Sequence, residues 1–407
     1  MDYKKTPEIL APAGNLEILK TAVIYGADAV YIGGEAFGLR AAAHNFDARE
    51  MREGIAFAHG HDAKVYVTAN ILAHNEDLSG VREYFHELKD IRPDAVIIAD
   101  PGVFALARDI IPEIPVHIST QSNNVNHATF RFWQQLGAER IVTGRELSLK
   151  EIKEIRENIP DDLEIETFVH GAMCMSYSGR CLLSNYMTGR DANRGACTHP
   201  CRWTYTLMEE QRPGEYMPVY ENERGTFIFN SKDLCMIDHI PELLECGIDS
   251  FKIEGRMKTA LYVATVVRAY RMAVDECLED PDRYKERISF YMDEVDSCSR
   301  RKYTTGFFFE KAGEDSMYYE AERTAPATYM GTVLEVTDEG RAVIEQKNKF
   351  HTGDTLEVIT PEGDNRSVKV ISIRDDNGNE MESCPHPKQM LSLETDVQLK
   401  PYDILRQ

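Results

Sequence analysis

Four cysteines crowd one short segment of the chain. Cys174, Cys181, Cys197 and Cys201 fall within 28 residues, although the whole chain of 407 residues contains only nine cysteines. Four thiolates can hold either a zinc ion or a [4Fe-4S] cluster. The spacing C-x6-C-x15-C-x3-C has neither the two tight pairs of common zinc motifs nor the serial pattern of ferredoxins. The sequence therefore predicts a metal or cluster site without fixing which.

The same segment allows other roles for its cysteines. Cys235, just beyond it, is a fifth candidate ligand, and some of the thiols could be ordinary buried apolar groups. Cys174 lies four residues after His170, so the two could form a nucleophilic thiol–imidazole pair. A metal ligand cannot also be a free nucleophile, so these two interpretations of Cys174 exclude each other. Neither H-E-x-x-H nor G-x-S-x-G, the motifs of common hydrolases, occurs in the sequence.

Short β-branched runs alternate with helical stretches from the start of the chain. Eight such units predict a (β/α)8 TIM-like barrel, with strands at EILAPAG, AVYIGG, KVYVTAN, AVIIAD, PVHISTQS, RIVTGREL, LEIETFVHGA and SFKIEGR. An open doubly wound sheet is the alternative, but no G-x-G-x-x-G follows the first strand. Roughly 60 residues separate the seventh strand from its helix, MIDHIPELLECG. The cysteine segment is therefore an insertion after strand seven, on the face where barrels carry catalysis.

Polar side chains follow the carboxyl ends of the predicted strands, where barrel enzymes place their catalytic residues. The candidate catalytic residues are His170, Lys252 and Glu254. The candidate substrate-binding residues are Arg40, Asn70, Gln121, Arg145 and Arg256. Three Arg and one Lys at one mouth suit a small substrate with more than one carboxylate, or an RNA backbone. The same charges could instead pair with neighbouring glutamates, and His170 could merely orient a backbone carbonyl.

The net charge of the chain is -22. Taken alone, this argues against a nucleic-acid partner, because phosphate contacts need Lys and Arg. Two basic islands interrupt the acidic background: residues 170–205 hold four Arg against one Asp, and residues 250–273 hold five Lys or Arg against one Glu. The two basic islands predict local anion-binding sites on a surface whose negative charge otherwise repels anions. No apolar leader or bilayer-length apolar run is visible, so we expect a cytoplasmic protein without a membrane partner.

After residue 300 the pattern changes to short alternating strands separated by turn residues. Such a pattern without helical signals predicts a small antiparallel β-barrel. We therefore expect two domains. Residues 1–310 form the (β/α)8 barrel with a cysteine-rich insertion at about 173–230, and residues 325–407 form the C-terminal β-barrel.

Several long motifs in the chain resemble one protein family. They are LAPAGNLEILKTAVIYGADAVYIGG, FVHGAMCMSYSGRCLLSNYMTGRDANRGACTHPCRW, NSKDL and FKIEGRMK. Nearly the whole chain resembles peptidase family U32, the collagenase-like proteases, and its last part resembles the C-terminal domain of that family. The branch that it resembles most comprises the prephenate-dependent tRNA uridine 5-hydroxylation proteins.

This resemblance implies an enzyme that makes 5-hydroxyuridine at the wobble position of tRNA, with prephenate as co-substrate. It also implies a [4Fe-4S] cluster on Cys174, Cys181, Cys197 and Cys201, with zinc the less favoured metal and Cys235 an open question. Prephenate carries two carboxylates, in agreement with the Arg-rich mouth. tRNA, prephenate and a paralogous family member are the implied partners. Two other functions stay open: a peptidase acting on unfolded or collagen-like chains, and a zinc-stabilised RNA-binding barrel.

Overall fold

A computed structural model describes most of the chain. The described residues are 5–34, 37, 45–174, 176, 180–181, 183–190, 192, 195–200, 220–222, 225–227, 232–298, 301–309, 327–386 and 388–407. Two residues of the predicted site, Arg40 and Cys201, lie outside these ranges.

Eight parallel strands close into a barrel. The first seven are β1 (Glu8–Pro12), β2 (Ala29–Gly33), β3 (Lys64–Ala69), β4 (Ala95–Ile98), β5 (Val116–Ile118), β6 (Arg140–Val142) and β7 (Glu164–Ala172). The chain then forms β8 (Tyr220–Asn222), β9 (Gly225–Phe227), β10 (Asp233–Cys235) and the eighth barrel strand, β11 (Ser250–Ile253). Each barrel strand pairs with the next, and β11 pairs with both β1 and β7. The predicted (β/α)8 barrel is confirmed.

Helices follow most of the barrel strands, and several of them begin at residues whose side chains cap them. They are α1 (Leu16–Ile24), α2 (Ala48–His59), α3 (Leu78–Ile91), α4 (Pro101–Ile110), α5 (His127–Gln135), α6 (Leu149–Glu157), α7 (Leu183–Thr188), α8 (Ile240–Glu245), α9 (Ala260–Glu279) and α10 (Pro281–Asp296). Asp47 and Ser148 accept backbone N–H groups in capping boxes with Glu50 and Glu151. Such caps satisfy donors that a helix start leaves unpaired. None of the described helices combines the length and apolar character that crossing a membrane requires.

The insertion after β7 returns to the barrel through β10. This strand pairs antiparallel with β7 and parallel with the short β12 (Tyr303–Thr304). The pairing of β7 with β11 is irregular: Lys252 lies opposite Phe168, whereas Ile253 lies opposite His170, so Val169 is an extra residue on β7. An extra residue of this kind is a β-bulge, and it changes the face of the sheet to which the following side chains point.

The last part of the chain forms a closed antiparallel barrel, as predicted. Its strands are β13 (Tyr329–Val336), β14 (Ala342–Gln346), β15 (Thr355–Ile359), β16 (Arg366–Arg374), β17 (Glu380–Met381), β18 (Met390–Thr395) and β19 (Ile404–Arg406). Six of them close in the order β15-β19-β13-β14-β18-β16, and β17 adds to β16 as a short edge. A separate apolar cluster, with Ile344, Leu393 and Leu405 fully buried, fills this barrel.

Buried ion pairs join the small barrel to the large one. Arg268 of α9 and Arg406 of β19 both donate to Glu294 of α10, which is itself nearly buried. Arg268 also donates to the side chain of Asn365 in the small barrel. Arg406 also pairs with Glu357, so two guanidinium groups face two carboxylates, and removal of one partner from such a set is costly. The two barrels are therefore held together by specific contacts.

Candidate active site at the barrel mouth

Arg145 stands at the mouth of the large barrel, in the loop between β6 and α6. Its guanidinium lies 3.9 Å from the centroid of the Phe168 ring, and its Nη1 donates to the carbonyl of Ala172 at 2.8 Å. Guanidinium groups stack well on aromatic rings, and this contact fixes the plane of the group. Within the part of the chain that the structure describes, its other N–H groups make no hydrogen bond. Arg145 is thus a pre-oriented donor for an anion.

Lys252 of β11 lies beside Arg145, against the same Phe168 ring. Its Nζ is 5.4 Å from that ring centroid, 4.6 Å from the Tyr31 centroid and 2.6 Å from Oε1 of Glu166. Burial lowers the pKa of the Lys252 ammonium, the Glu166 carboxylate opposes this, and the charges of Arg140 and Arg145 add to the lowering. The side chain is 6% exposed. Lys252 is therefore a desolvated amine directly under the mouth.

Below Lys252, the barrel interior holds a closed ion-pair network. Arg140 donates to Glu8 and, at 3.3 Å, to the fully buried Glu166. The hydroxyl of Tyr66 donates to Glu8 at 2.7 Å. Glu8 and Arg140 are the first residues of β1 and β6, at the end of a barrel where residues serve stability. The network anchors Glu166, which in turn holds Lys252.

Arg256 follows β11 and is committed to protein partners. Its Nη2 donates to Oδ1 of Asn45 at 2.9 Å, and its Nη1 to Oγ1 of Thr68 at 3.4 Å. The guanidinium occupies the space beside Gly33, where an added Cβ would lie 2.1 Å from Nη2. The guanidinium of Arg256 fits into the barrel mouth because Gly33, at the end of β2, has no side chain.

Asn70 and Gln121, two predicted substrate contacts, meet at the mouth. The amide Nδ2 of Asn70 donates to Oε1 of Gln121 at 3.1 Å. The turn that carries Gln121 is fixed to its neighbours, because Thr120 donates to the carbonyl of Thr143 and Ser122 to that of Ala99. From the cysteine segment, Nε of Arg180 donates to the carbonyl of Gln121 at 2.8 Å. This bond places the start of the insertion over the mouth.

Three of the four predicted ligands lie in the described residues, and each thiol receives a backbone hydrogen bond from two residues further on. The N–H groups of Leu183 and His199 donate to Cys181 and Cys197 at 3.4 Å, and that of Ser176 donates to Cys174. Hydrogen bonds to sulfur favour the thiolate, the form that binds metals. This repeated donor pattern fits a metal-thiolate or cluster site.

The Cys174 thiol lies close enough to Cys181 and Cys197 for their charges to affect its pKa. Protein atoms surround the sulfur although the residue reaches solvent, and this desolvation raises the pKa of the Cys174 thiol. Nearby Cys181 and Cys197 raise it further, whereas the Ser176 N–H and Arg145 lower it. In the described ranges, no three His, Cys, Asp or Glu side chains form a group that could hold a metal ion. With Cys201 outside those ranges, the four-cysteine site stays a prediction.

Cys235 also receives a backbone hydrogen bond from two residues further on, Ile237, but unlike the three thiols of the insertion it is buried. It is 3% exposed within the main core, 4.0 Å from the hydroxyl of Tyr270, and burial raises its pKa to about 12. Such a thiol is a protonated, apolar side chain. Its surroundings support the alternative of a buried structural cysteine for Cys235.

His170 and Glu254, two candidate catalytic residues, lie after the bulge in β7 and after β11. The His170 ring is 1% exposed, and its neighbours are the rings of Tyr262, Tyr270 and Tyr303, at 5.3–6.1 Å. Burial lowers the pKa of His170 to about 3, so the ring is neutral. The backbone N–H of Glu254 donates to the His170 carbonyl at 2.9 Å. A neutral His170 and a thiol of raised pKa at Cys174 both count against a thiolate–imidazolium nucleophile.

Three residues that the sequence analysis did not select are central to the site. They are Glu166, Phe168 and Tyr31, which hold Lys252 and Arg145. The sequence does contain a signal for Glu166 and Phe168. Together with Glu164 they occupy alternate positions of the predicted seventh strand, and alternate residues of a barrel strand point into the barrel. A charged residue at such an inward position is a candidate for the interior network.

Comparisons with known proteins agree with the motifs. The profile of peptidase family U32 matches residues 14–318, and that of the peptidase family U32 C-terminal domain matches residues 326–406. The chain is 43% identical to tRNA hydroxylation protein P1 of Bacillus subtilis over 404 residues, 99% of this chain and 95% of that protein. It is 40% identical to tRNA hydroxylation protein P of Escherichia coli, over 88% of this chain and 87% of that protein. It is 38% identical to the 23S rRNA 5-hydroxycytidine C2501 synthase of Escherichia coli, over 67% of this chain and 40% of that protein.

Proposed function

The chain belongs to peptidase family U32, and we propose that it is a tRNA-modifying enzyme that hydroxylates the wobble uridine at carbon 5 in a prephenate-dependent reaction. The observation that carries the proposal is the 43% identity over nearly the full length of both chains to a protein named for tRNA hydroxylation. The similarity to a relative named for 5-hydroxycytidine synthesis supports the same reaction class, hydroxylation of a pyrimidine in RNA.

The proposed small co-substrate is prephenate, which carries two carboxylates. Arg145 supports this proposal, because its guanidinium is held over Phe168 and, among the described residues, uses one N–H group in a hydrogen bond. A planar fork of this kind pairs with a carboxylate through two parallel hydrogen bonds. Lys252, on the same ring, adds a second positive charge for the dianion. Arg256 already donates hydrogen bonds to Asn45 and Thr68, so we assign to Arg145 the main role in binding the carboxylate.

The proposed cofactor is a [4Fe-4S] cluster held by Cys174, Cys181, Cys197 and Cys201. The backbone N–H donors to the first three sulfurs support a cluster at these positions, because cluster-bound sulfurs commonly accept hydrogen bonds. A bound cluster would supply one-electron chemistry next to the mouth. Arg145 would then lie between the substrate and the cysteine segment, since its charge already acts on Cys174. Zinc is the less favoured alternative for the same ligands.

The proposed macromolecular partner is tRNA, docked on the basic island around the insertion. Arg180 is anchored on the carbonyl of Gln121, and Arg190 is exposed at the end of α7. An RNA backbone on this island would bring a base that has left its stack to the barrel mouth. The remaining acidic surface would face away from the RNA. A paralogous family member as an additional partner stays a prediction.

A test in cells separates this function from a peptidase. The gene is deleted from its host, and tRNA nucleosides are quantified by mass spectrometry before and after complementation. We expect 5-hydroxyuridine and its derivatives to disappear on deletion and to return with the wild-type chain, but not with Cys197→Ser. Unchanged wobble nucleosides, together with cleavage of denatured collagen by the purified chain, would instead establish the peptidase.

A further inference from the structure

The amine of Lys252 has features that an ordinary buried ion pair does not need. Besides burial, it lies close to the positive charges of Arg140 and Arg145, which both lower its pKa. Desolvation and a neighbouring cation are the two conditions that turn lysine into a nucleophile toward carbonyl groups. Lys252 is the third residue of β11, at the carboxyl end of the strand where barrels perform their chemistry.

Within the described residues, Lys252 uses one of its three N–H donors in a hydrogen bond. An ammonium has three N–H donors, and buried donors are normally satisfied. Among the described residues, one oxygen accepts from Nζ, Oε1 of Glu166 at 2.6 Å. The other near neighbours of Nζ are the faces of the Tyr31 and Phe168 rings. The amine is therefore held from one side by a carboxylate and keeps donors for a ligand.

We propose that Lys252 forms a reversible imine with the 2-oxo group of the acid that occupies the mouth. This inference rests on the proposed function for the identity of that acid, because prephenate carries a 2-oxo acid side chain. The geometry gives each part of such an acid a partner. Arg145, over the ring of Phe168, binds the carboxylate, and Lys252, near the same ring, reaches the adjacent carbonyl carbon.

The chemistry balances with groups already present. Glu166 removes a proton from the Lys252 ammonium, and the freed amine adds to the carbonyl carbon to give a carbinolamine. Glu166 then returns the proton to the carbinolamine hydroxyl, which leaves as water while the carbon–nitrogen double bond forms. No oxidant or reductant is consumed, and hydrolysis reverses the step. Glu166 is suited to this task because the Arg140 network fixes its carboxylate within hydrogen-bond distance of Nζ.

Reductive trapping tests the proposal on the intact protein. The chain is incubated with prephenate, phenylpyruvate or pyruvate, treated with cyanoborohydride, and digested for peptide mass spectrometry. We expect a stable secondary amine at Lys252, with the mass of the acid less its carbonyl oxygen. The adduct should be lost in Lys252→Arg, which keeps a positive charge beside Glu166. It should persist in Lys150→Arg, a control at a lysine whose side chain is 86% exposed.

The outcomes separate this inference from the proposed function. The imine would be overturned if none of the three acids gave an adduct. It would also be overturned if Lys252→Arg were labelled as strongly as the wild type, because the label would then sit on surface lysines. If the same preparation then hydroxylates tRNA with prephenate, the imine is wrong and the proposed function stands. If Lys252 is labelled but tRNA stays unmodified, the imine stands and the proposed function is wrong.

Discussion

Arg145 and Lys252 approach the same aromatic ring, with the guanidinium 3.9 Å and the ammonium 5.4 Å from the centroid of Phe168. One residue comes from the loop after β6 and the other from β11, and Phe168 of β7 lies between these two strands in the barrel. The ring therefore sets the spacing of two positive charges that like-charge repulsion would otherwise push apart. This arrangement makes the mouth a preformed receptor for a small anion.

Phe168→Leu should weaken binding of the acid while leaving the fold intact. Loss of two cation–π contacts is worth about 1–2 kcal/mol, which corresponds to a roughly 5- to 30-fold higher Kd for prephenate. Isothermal titration calorimetry measures the change. Phe290→Leu is a matched control, because Phe290 also carries a stacked guanidinium, that of Arg287, but on α10 away from the mouth. Equal affinity in Phe168→Leu and wild type would show that the ring does not organise the receptor.

Gly33→Ala should displace Arg256. The new Cβ would lie 2.1 Å from Nη2, so the guanidinium must leave Asn45 and Thr68. Crowding of this kind costs about 1–3 kcal/mol of unfolding free energy, toward the low end because a flexible side chain can move. Denaturant unfolding should show this loss in Gly33→Ala.

The double variant Gly33→Ala/Arg256→Met should recover part of the loss, because the guanidinium that clashes is gone. Gly60→Ala is the control, since its Cβ would meet only ordinary contacts near 3.4 Å. Strictly additive losses in the double variant would contradict the assigned clash.

His170 should make the folded protein lose stability in acid. Its pKa in the folded state is about 3, below the ordinary value near 6.5 that it regains on unfolding. Between these values the unfolded chain binds the extra proton, so stability falls as pH decreases, by up to about 1.4 kcal/mol per pH unit. His170→Phe should flatten the dependence of unfolding free energy on pH between about 6 and 4. Exposed His61→Phe should leave that slope unchanged, and identical slopes in all three proteins would refute a buried neutral His170.

The cysteine segment should bind iron. Anaerobically purified protein should show a broad absorption band near ~400 nm with stoichiometric iron and sulfide. The band should vanish in Cys174→Ser and Cys197→Ser, whose sulfurs accept backbone N–H groups. It should persist in Cys298→Ala, a thiol packed against the barrel core, and in Cys235→Ala if that residue is structural. A colourless protein that contains zinc would contradict the cluster and favour a structural metal.

Much of the fold could be predicted because local signals agree with tertiary packing. The barrel strands are buried on both faces and therefore read as short apolar runs, and caps such as Asp47 and Ser148 mark where helices begin. The strands β17 and β19 are too short to carry an alternating pattern of their own. Ile404–Arg406 is only three residues long and owes its strand conformation to pairing with β13 and β15, which are distant in sequence.

The candidate site was harder to predict than the fold. The structure places Arg145, Lys252 and the Asn70–Gln121 pair at the strand ends from which they were selected, and their roles in binding or catalysis stay predictions. The orientation of His170 could not be predicted, because it depends on the bulge at Val169, and a bulge has no reliable signature in an alternating apolar strand. The contact between Lys252 and Glu166 could not be predicted either, because it depends on the register between β11 and β7.

The most direct test of the account is the purified reaction. Anaerobically prepared protein is incubated with unmodified tRNA, with and without prephenate, and the nucleosides are quantified by mass spectrometry. The account predicts 5-hydroxyuridine only with prephenate, and a loss of about 10- to 100-fold in rate for Arg145→Gln, since a charged hydrogen-bonded pair is worth about 1.5–3 kcal/mol. Arg131→Gln, a surface change on α5, should retain the wild-type rate. Hydroxylation that is independent of prephenate, or no hydroxylation by a protein with its full complement of iron, would contradict it.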